Sequence, residues 1–122
     1  MKIRLLLLPL MLLASAAATA HAKLDSSIPA DKSRGPAPKQ LVLEFDDPVV
    51  ITALTLQQGK EAAKPLKYTP SPQTVQGFTI PMPALVPGDY AIDWKVQSDD
   101  LHTSSGTIHF TVVAAKEDAK HK

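Results

Sequence analysis

His21 and the pair Asp100-Leu101-His102 are the residues of this 122-residue chain best suited to chemistry. At a free N-terminus, the α-amine and ring Nδ1 of a histidine close a six-membered chelate on one metal ion. The amine must lose a proton first, and its ordinary pKa is about 7.7–8.0. Cu(II) competes best among the divalent ions for such nitrogens, and tetragonal nitrogen/oxygen sites suit it. In an extended segment, side chains at i and i+2 leave the same side of the backbone. Asp100 and His102 could therefore add a carboxylate and an imidazole to the same ion. The set of amine, His21, Asp100 and His102 would supply three nitrogens and one oxygen. Taken alone, an Asp-x-His pair also describes an ordinary solvated turn between two strands. The rest of the chain has to decide.

His21 becomes a terminus only if what precedes it is removed. Lys2 and Arg4 give a positive start, Leu5 to Leu13 is apolar apart from Pro9, and Ala14 to Ala20 is made of small residues. That is the layout of a secretory signal peptide. The apolar run is too short for a membrane-spanning helix, which needs about 20 residues. Two bonds fit the small-x-small cleavage rule. Cutting after Ala20 exposes His21; cutting after Ala22 removes it. The first is the reading taken here: residues 1–20 as leader, 21–113 as one β domain, and 114–122 as a frayed tail. The domain is expected in the periplasm as a monomer. Lys2 and Arg4 leave with the leader, so the formal charge moves from +1 to about −1. Such a surface gives no basic footprint for nucleic acid. The chain has no cysteine, so it has neither disulfides nor thiolate metal ligands.

The elements that must carry these residues read as strands. Leu41, Leu43 and Phe45 alternate with Val42 and Glu44. Asp46-Asp47-Pro48 is expected to break that strand, because proline withholds a ladder donor. Val49 to Leu56 reads as a second strand and Val75 to Ile80 as a short one. Pro65, Pro70 and Pro72 rule out a long helix in the less legible stretch 61–74. After the Pro87-Gly88 turn, Tyr90, Ile92, Trp94 and Val96 alternate with polar or small residues. Residues 98–105 read as a polar loop, and Thr107 to Val112 as the last strand. Residues 29–40 are rich in turn formers. The expected fold is all-β: a Greek-key barrel or sandwich, immunoglobulin- or cupredoxin-like, of about seven strands.

The arrangement of blocks resembles the CopC family of periplasmic copper-resistance proteins. The blocks are His21-Ala22; Ser27-Ile28-Pro29-Ala30; Leu43-Glu44-Phe45-Asp46-Asp47-Pro48-Val49; and the run from Leu85 to His102, followed by Gly106 and Phe110-Thr111-Val112. The spacing Pro-Gly-x-Tyr-x-x-x-Trp, then Ser-x-Asp-x-His, is the specific part. The resemblance implies one Cu(II) ion held by His21, Asp100 and His102. In some members an acidic residue of the Phe-x-acid turn joins, which is Asp47 here; the plain alternative is a turn aspartate before Pro48. It also implies an inner-membrane copper-import partner of the CopD type and no catalytic turnover. Two features depart from the family pattern. Leu101 stands where glycine is common, and a left-handed backbone there would be costly. Only Met82 remains outside the leader, so a methionine-rich Cu(I) site is not expected, and Met82 reads as a packing residue. His109 and His121 read as incidental. Two rival functions stay open at this level: a histidine-brace copper oxygenase and a metal-free immunoglobulin-like interaction module.

Overall fold

The computed structural model describes residues 22–114. The expected leader, His21, and residues 115–122 of the expected tail, including His121, lie outside the described residues. Within them are seven strands and no helix: β1 Leu24–Ile28, β2 Ser33–Gly35, β3 Gln40–Gln58, β4 Lys64–Pro65, β5 Val75–Pro81, β6 Gly88–Ser98 and β7 Thr103–Val112. The all-β expectation holds. The hydrogen-bonded order is β1-β3-β6-β7-β2, with β4 and β5 also on β3. The strands curl into a half-barrel whose non-sequential neighbours reflect crossed connections.

β3 is the element that organises the rest. The break expected at Asp46-Asp47-Pro48 does not end it; the strand runs through for 19 residues. Its first part pairs with β1 and β5, and from Val49 onward it pairs with β6. The register to β5 shifts between Glu44 and Val49, and the ladder to β6 begins at Val49. Pro48 thus falls where the strand changes partners, a place where a missing N–H costs no ladder bond. A second irregularity follows. Ile51 faces Val96 and Ala53 faces Lys95, so one extra residue, Thr52, is inserted. Such a bulge reverses which side chains face inward. Before it, Leu41, Leu43, Phe45 and Val49 are buried; after it, Leu54 is buried and Leu56 partly so.

β6 presents Tyr90, Ile92, Trp94 and Val96 to the core, as its alternation predicts. Antiparallel partners share a face, so Phe110 and Ile108 of β7 line up against Tyr90 and Ile92. Tyr90 stacks on Phe110 with ring centroids 5.3 Å apart. Phe45 meets the edges of Phe78 and Trp94, at 6.0 and 5.3 Å. Each such pair contributes roughly 0.5–1.5 kcal/mol beyond its buried area. The Tyr90 hydroxyl donates to the Val86 carbonyl at 2.7 Å, which ties the Pro87-Gly88 turn to the strand.

Three further segments differ from their sequence reading. β1 and β2 form within or beside stretches dominated by turn residues. Their pairing partners, β3 and β7, are distant in sequence and supply the hydrogen bonds. β7 begins at Thr103 rather than Thr107, because Thr103, Ser104 and Ser105 pair with Gln97, Val96 and Lys95. Within 61–74, only Lys64–Pro65 forms a strand, a two-residue edge on β3. Among the described residues no helix is long and apolar enough to cross a membrane.

Candidate metal centre

The β6–β7 hairpin carries Asp100 on a three-residue loop, 99–101, and His102 as the residue that closes it. Leu101 N–H donates to the Ser98 carbonyl at 2.9 Å, and Ser98 N–H donates to the His102 carbonyl at 2.9 Å. That pattern is a turn followed by a residue in the left-handed region, the usual three-residue hairpin. The left-handed residue is Leu101, with φ 69° and a side chain 73% exposed. The loop therefore requires the conformation that glycine adopts freely and leucine does not.

Within this loop Asp100 accepts at both carboxylate oxygens. The Ser98 hydroxyl donates to Oδ1 at 2.5 Å, and the His102 backbone N–H donates to the same oxygen at 3.3 Å. Oδ2 lies 2.7 Å from His102 Nδ1. These contacts hold the Asp100 carboxyl down to about 2, with the Ser98 hydroxyl the largest cause and the two His102 bonds next. Asp100 is therefore ionised at neutral pH and can only accept. His102 Nδ1 therefore donates to Oδ2. Both side chains are about half exposed, so the pair meets solvent rather than the core.

The same end of the barrel gathers the other sequence-selected segments. Ala22, next in the chain to His21, is buried. Lys23 and Asp46 bond to each other twice: Lys23 N–H donates to Asp46 Oδ1 at 2.7 Å, and Asp46 N–H donates to the Lys23 carbonyl at 3.0 Å. Asp47, half-buried, follows directly, and Val49 two residues on pairs with Ser98. Thr74 closes the other flank by donating to Asp99 at 3.0 Å. Among the described residues, no three His, Asp or Glu side chains converge tightly enough to hold an ion. Asp100 and His102 are thus two donors of suitable chemistry, an anionic oxygen and an imidazole, and a complete centre needs donors from beyond residue 22.

His109 stands apart on the outer face of β7. Its backbone N–H donates to Asp31 Oδ1 at 2.8 Å, and this bond is the main reason the Asp31 carboxyl lies below its usual range. Residue Lys32, with φ 65°, donates its N–H to the His109 carbonyl. The His109–Asp31 pair therefore anchors the β1–β2 turn to β7. A groove of about 670 Å³ lies at the far end of the barrel, lined by Leu56, Leu66, Met82, Leu85 and Tyr90 among others. Eight residue steps along β6 separate Tyr90 from Ser98, roughly 26 Å at strand rise. Met82 is partly buried there against the core, as a packing residue. Ser98 stood in the Ser-x-Asp-x-His spacing without a role; its hydroxyl makes the 2.5 Å bond to Asp100.

Comparison with known proteins agrees with this architecture. Residues 24–113 match the CopC domain. The copper resistance protein C of Pseudomonas syringae pv. tomato is 31% identical, covering 83% of this chain and 87% of that protein. The protein of the same name from Escherichia coli is 30% identical, covering 78% and 83%. Among solved structures, PcoC of Escherichia coli, a methionine-rich copper resistance protein, superposes with a TM-score of 0.57 at 30% identity, over 77% of this chain and all of that one. CopC of Methylosinus trichosporium OB3b shares the fold, with a TM-score of 0.63 at 23% identity over 75% of this chain and 93% of that one. With the barrel, the Asp-His hairpin and the match running over almost every described residue, the chain belongs to the CopC family of copper resistance proteins.

Proposed function

We propose that this protein is an exported Cu(II) carrier that holds one ion per chain through His21, Asp100 and His102. The observation that carries the reading is the Asp100–His102 pair, a carboxylate oxygen and an imidazole nitrogen held 2.7 Å apart on one hairpin. An ion taking the place of the proton between Oδ2 and Nδ1 would be held by both side chains, an anionic oxygen and an imidazole nitrogen of the kind that suits Cu(II). The buried Ala22 and the doubly bonded Lys23–Asp46 backbone support the rest. They anchor the residue after His21 at the end of the barrel that carries the hairpin. The same anchoring brings the backbone of Asp47 to that end, and Asp47 joins the reading as an additional carboxylate.

Cleavage after Ala20 is the step that makes the site. Before it, His21 offers a ring nitrogen alone; after it, amine and ring grip the ion together. A harder, charged donor set of this kind favours Cu(II) over Cu(I). The protein then buffers copper in the periplasm as a monomer or passes it to a CopD-type protein of the inner membrane. The names borne by its relatives are those of resistance proteins, which supports carriage over turnover. An intact mass of the exported protein tests the processing: a chain beginning at His21 is expected, and one beginning at Lys23 would end the proposal. Cu(II) titrations of His21→Ala, and of a variant with one residue added before His21, test the chelate. Both are expected to weaken binding by orders of magnitude, and unchanged affinity in both would refute it.

A further inference from the structure

We infer that Asp46 is a positioning residue for the metal site: its side chain is the last rung of the β1–β3 ladder and fixes the chain two residues after His21. This rests on the Cu(II) reading above. The ladder proper ends where Leu24 faces Phe45, and the next residues outward are Lys23 and Asp46. In a regular hydrogen-bonded antiparallel pair, two such residues exchange both backbone N–H···O bonds. Here one of the two is regular: Asp46 N–H donates to the Lys23 carbonyl at 3.0 Å. The other is made by a side chain, because Lys23 N–H donates to Asp46 Oδ1 at 2.7 Å. The Asp46 carbonyl accepts instead from the Gln76 side-chain amide of β5, at 3.1 Å. The carboxylate thus stands in for a carbonyl engaged on the opposite flank of β3. Both peptide groups of Lys23 are held by one residue.

The consequence falls on the N-terminal donors. Lys23 is exposed and precedes β1, whereas Ala22 before it is 3% exposed, and His21 is one peptide bond further. The first residues of a domain are poorly ordered unless they are tied down. With the rung in place, the segment that carries the amine and ring of His21 is ordered before the ion arrives. Without it, each ion bound must order that segment, and the cost is taken from affinity. Loss of an outer group that holds a metal ligand in place typically costs about 10–100-fold in metal affinity.

The test compares the exported chain with Asp46→Ala and Asp46→Asn. Asparagine keeps an acceptor oxygen in the same place and removes the negative charge, so it separates a rung from an anionic donor. Hydrogen exchange of the metal-free proteins, read by NMR, follows the Lys23 amide, with the β6 amides as the control for folding. We expect Lys23 to be protected in the parent and in Asp46→Asn, and to exchange about tenfold faster in Asp46→Ala while β6 is unchanged. Cu(II) affinity should fall about tenfold in Asp46→Ala and stay near the parent's in Asp46→Asn. In a His21→Ala background, Asp46→Ala should have no further effect on affinity, because the residue acts through His21. Equal protection of Lys23 in all three proteins overturns the inference. So does faster exchange in Asp46→Ala with affinity unchanged. Weak binding in both variants, with Lys23 still protected in Asp46→Asn, also overturns it and assigns Asp46 a role through its charge. If His21→Ala alone binds Cu(II) as the parent does, the functional reading fails and takes the positioning role with it; the Lys23 amide of the metal-free chain still decides whether Asp46 is the rung.

Discussion

The indole of Trp94 lies directly over the backbone of Gly106, its partner across the β6–β7 ladder. A Cβ built at Gly106 would stand 2.5 Å from Trp94 Cζ2 and 2.8 Å from Cε2. No side chain fits there while the ring keeps its edge contact with Phe45. Gly106→Ala should therefore destabilise the domain by about 1–3 kcal/mol, the range for overpacking a well-filled core. Urea unfolding followed by fluorescence checks this, since Trp94 is the single tryptophan of the chain. An unchanged midpoint would show that the indole moves aside at little cost.

Leu101 is expected to behave in the opposite sense. Its φ of 69° is unfavourable for a branched residue, and its side chain is mostly in solvent. A left-handed residue costs roughly 1–2 kcal/mol when it is not glycine. Part of that gain is offset, because glycine loses more freedom on folding. Leu101→Gly should stabilise the protein by about 0.5–1 kcal/mol, seen as a higher denaturant midpoint. A lower midpoint would mean that the leucine side chain makes contacts worth more than the strain.

Acid should act through Asp100. Its carboxyl is held at about 2 in the folded protein, below the ordinary aspartate value of 3.8. A group whose pKa is lowered by folding stabilises the native state above its unfolded value and ceases to do so as pH falls through the folded one. The metal-free protein should lose this contribution between about pH 4 and pH 2, and Asp100→Asn should flatten that part of the curve. Denaturant midpoints across this range measure it. Equal slopes in the two proteins would count against the Ser98–Asp100–His102 hydrogen bonds as drawn.

Asp47 offers a sharper check on the composition of the proposed metal site. It follows Asp46, whose backbone is clamped to Lys23, and precedes the point where β3 joins β6. If Asp47 contributes a carboxylate, Asp47→Asn should weaken Cu(II) binding by about tenfold, the lower end of effects seen around metal ligands. Isothermal titration in a competing chelator reads this. An affinity equal to the parent's leaves Asp47 as a strand residue of β3 with no part in the site.

Much of the strand pattern was legible because its cause is local. Alternation across Tyr90, Ile92, Trp94 and Val96 encodes one buried face wherever the strand lies. The same holds for Leu41, Leu43 and Phe45. Proline misled at Pro48, because a proline forbids a ladder bond but not an extended backbone. Whether a bond was needed there depended on which neighbour β3 had at that residue. The strands β1 and β2 were illegible for a related reason. Ser-rich and Gly-containing segments become strands only when a distant edge offers its carbonyls and amides.

The sequence by itself determined the donor types, the all-β class and the family. Histidine and carboxylate chemistry, apolar alternation and the order of motifs along the chain are properties of residues and their spacing. The tertiary structure decided how those side chains are held. Asp100 and His102 were close in any conformation, but their Nδ1–Oδ2 bond required the left-handed turn at Leu101 and the fixed hydroxyl of Ser98. The nearness of Ala22 and Asp47 to that hairpin required β3 to bend from one set of partners to another. Those relationships join residues about 50 to 80 positions apart through hydrogen-bond ladders, and no local pattern encodes them.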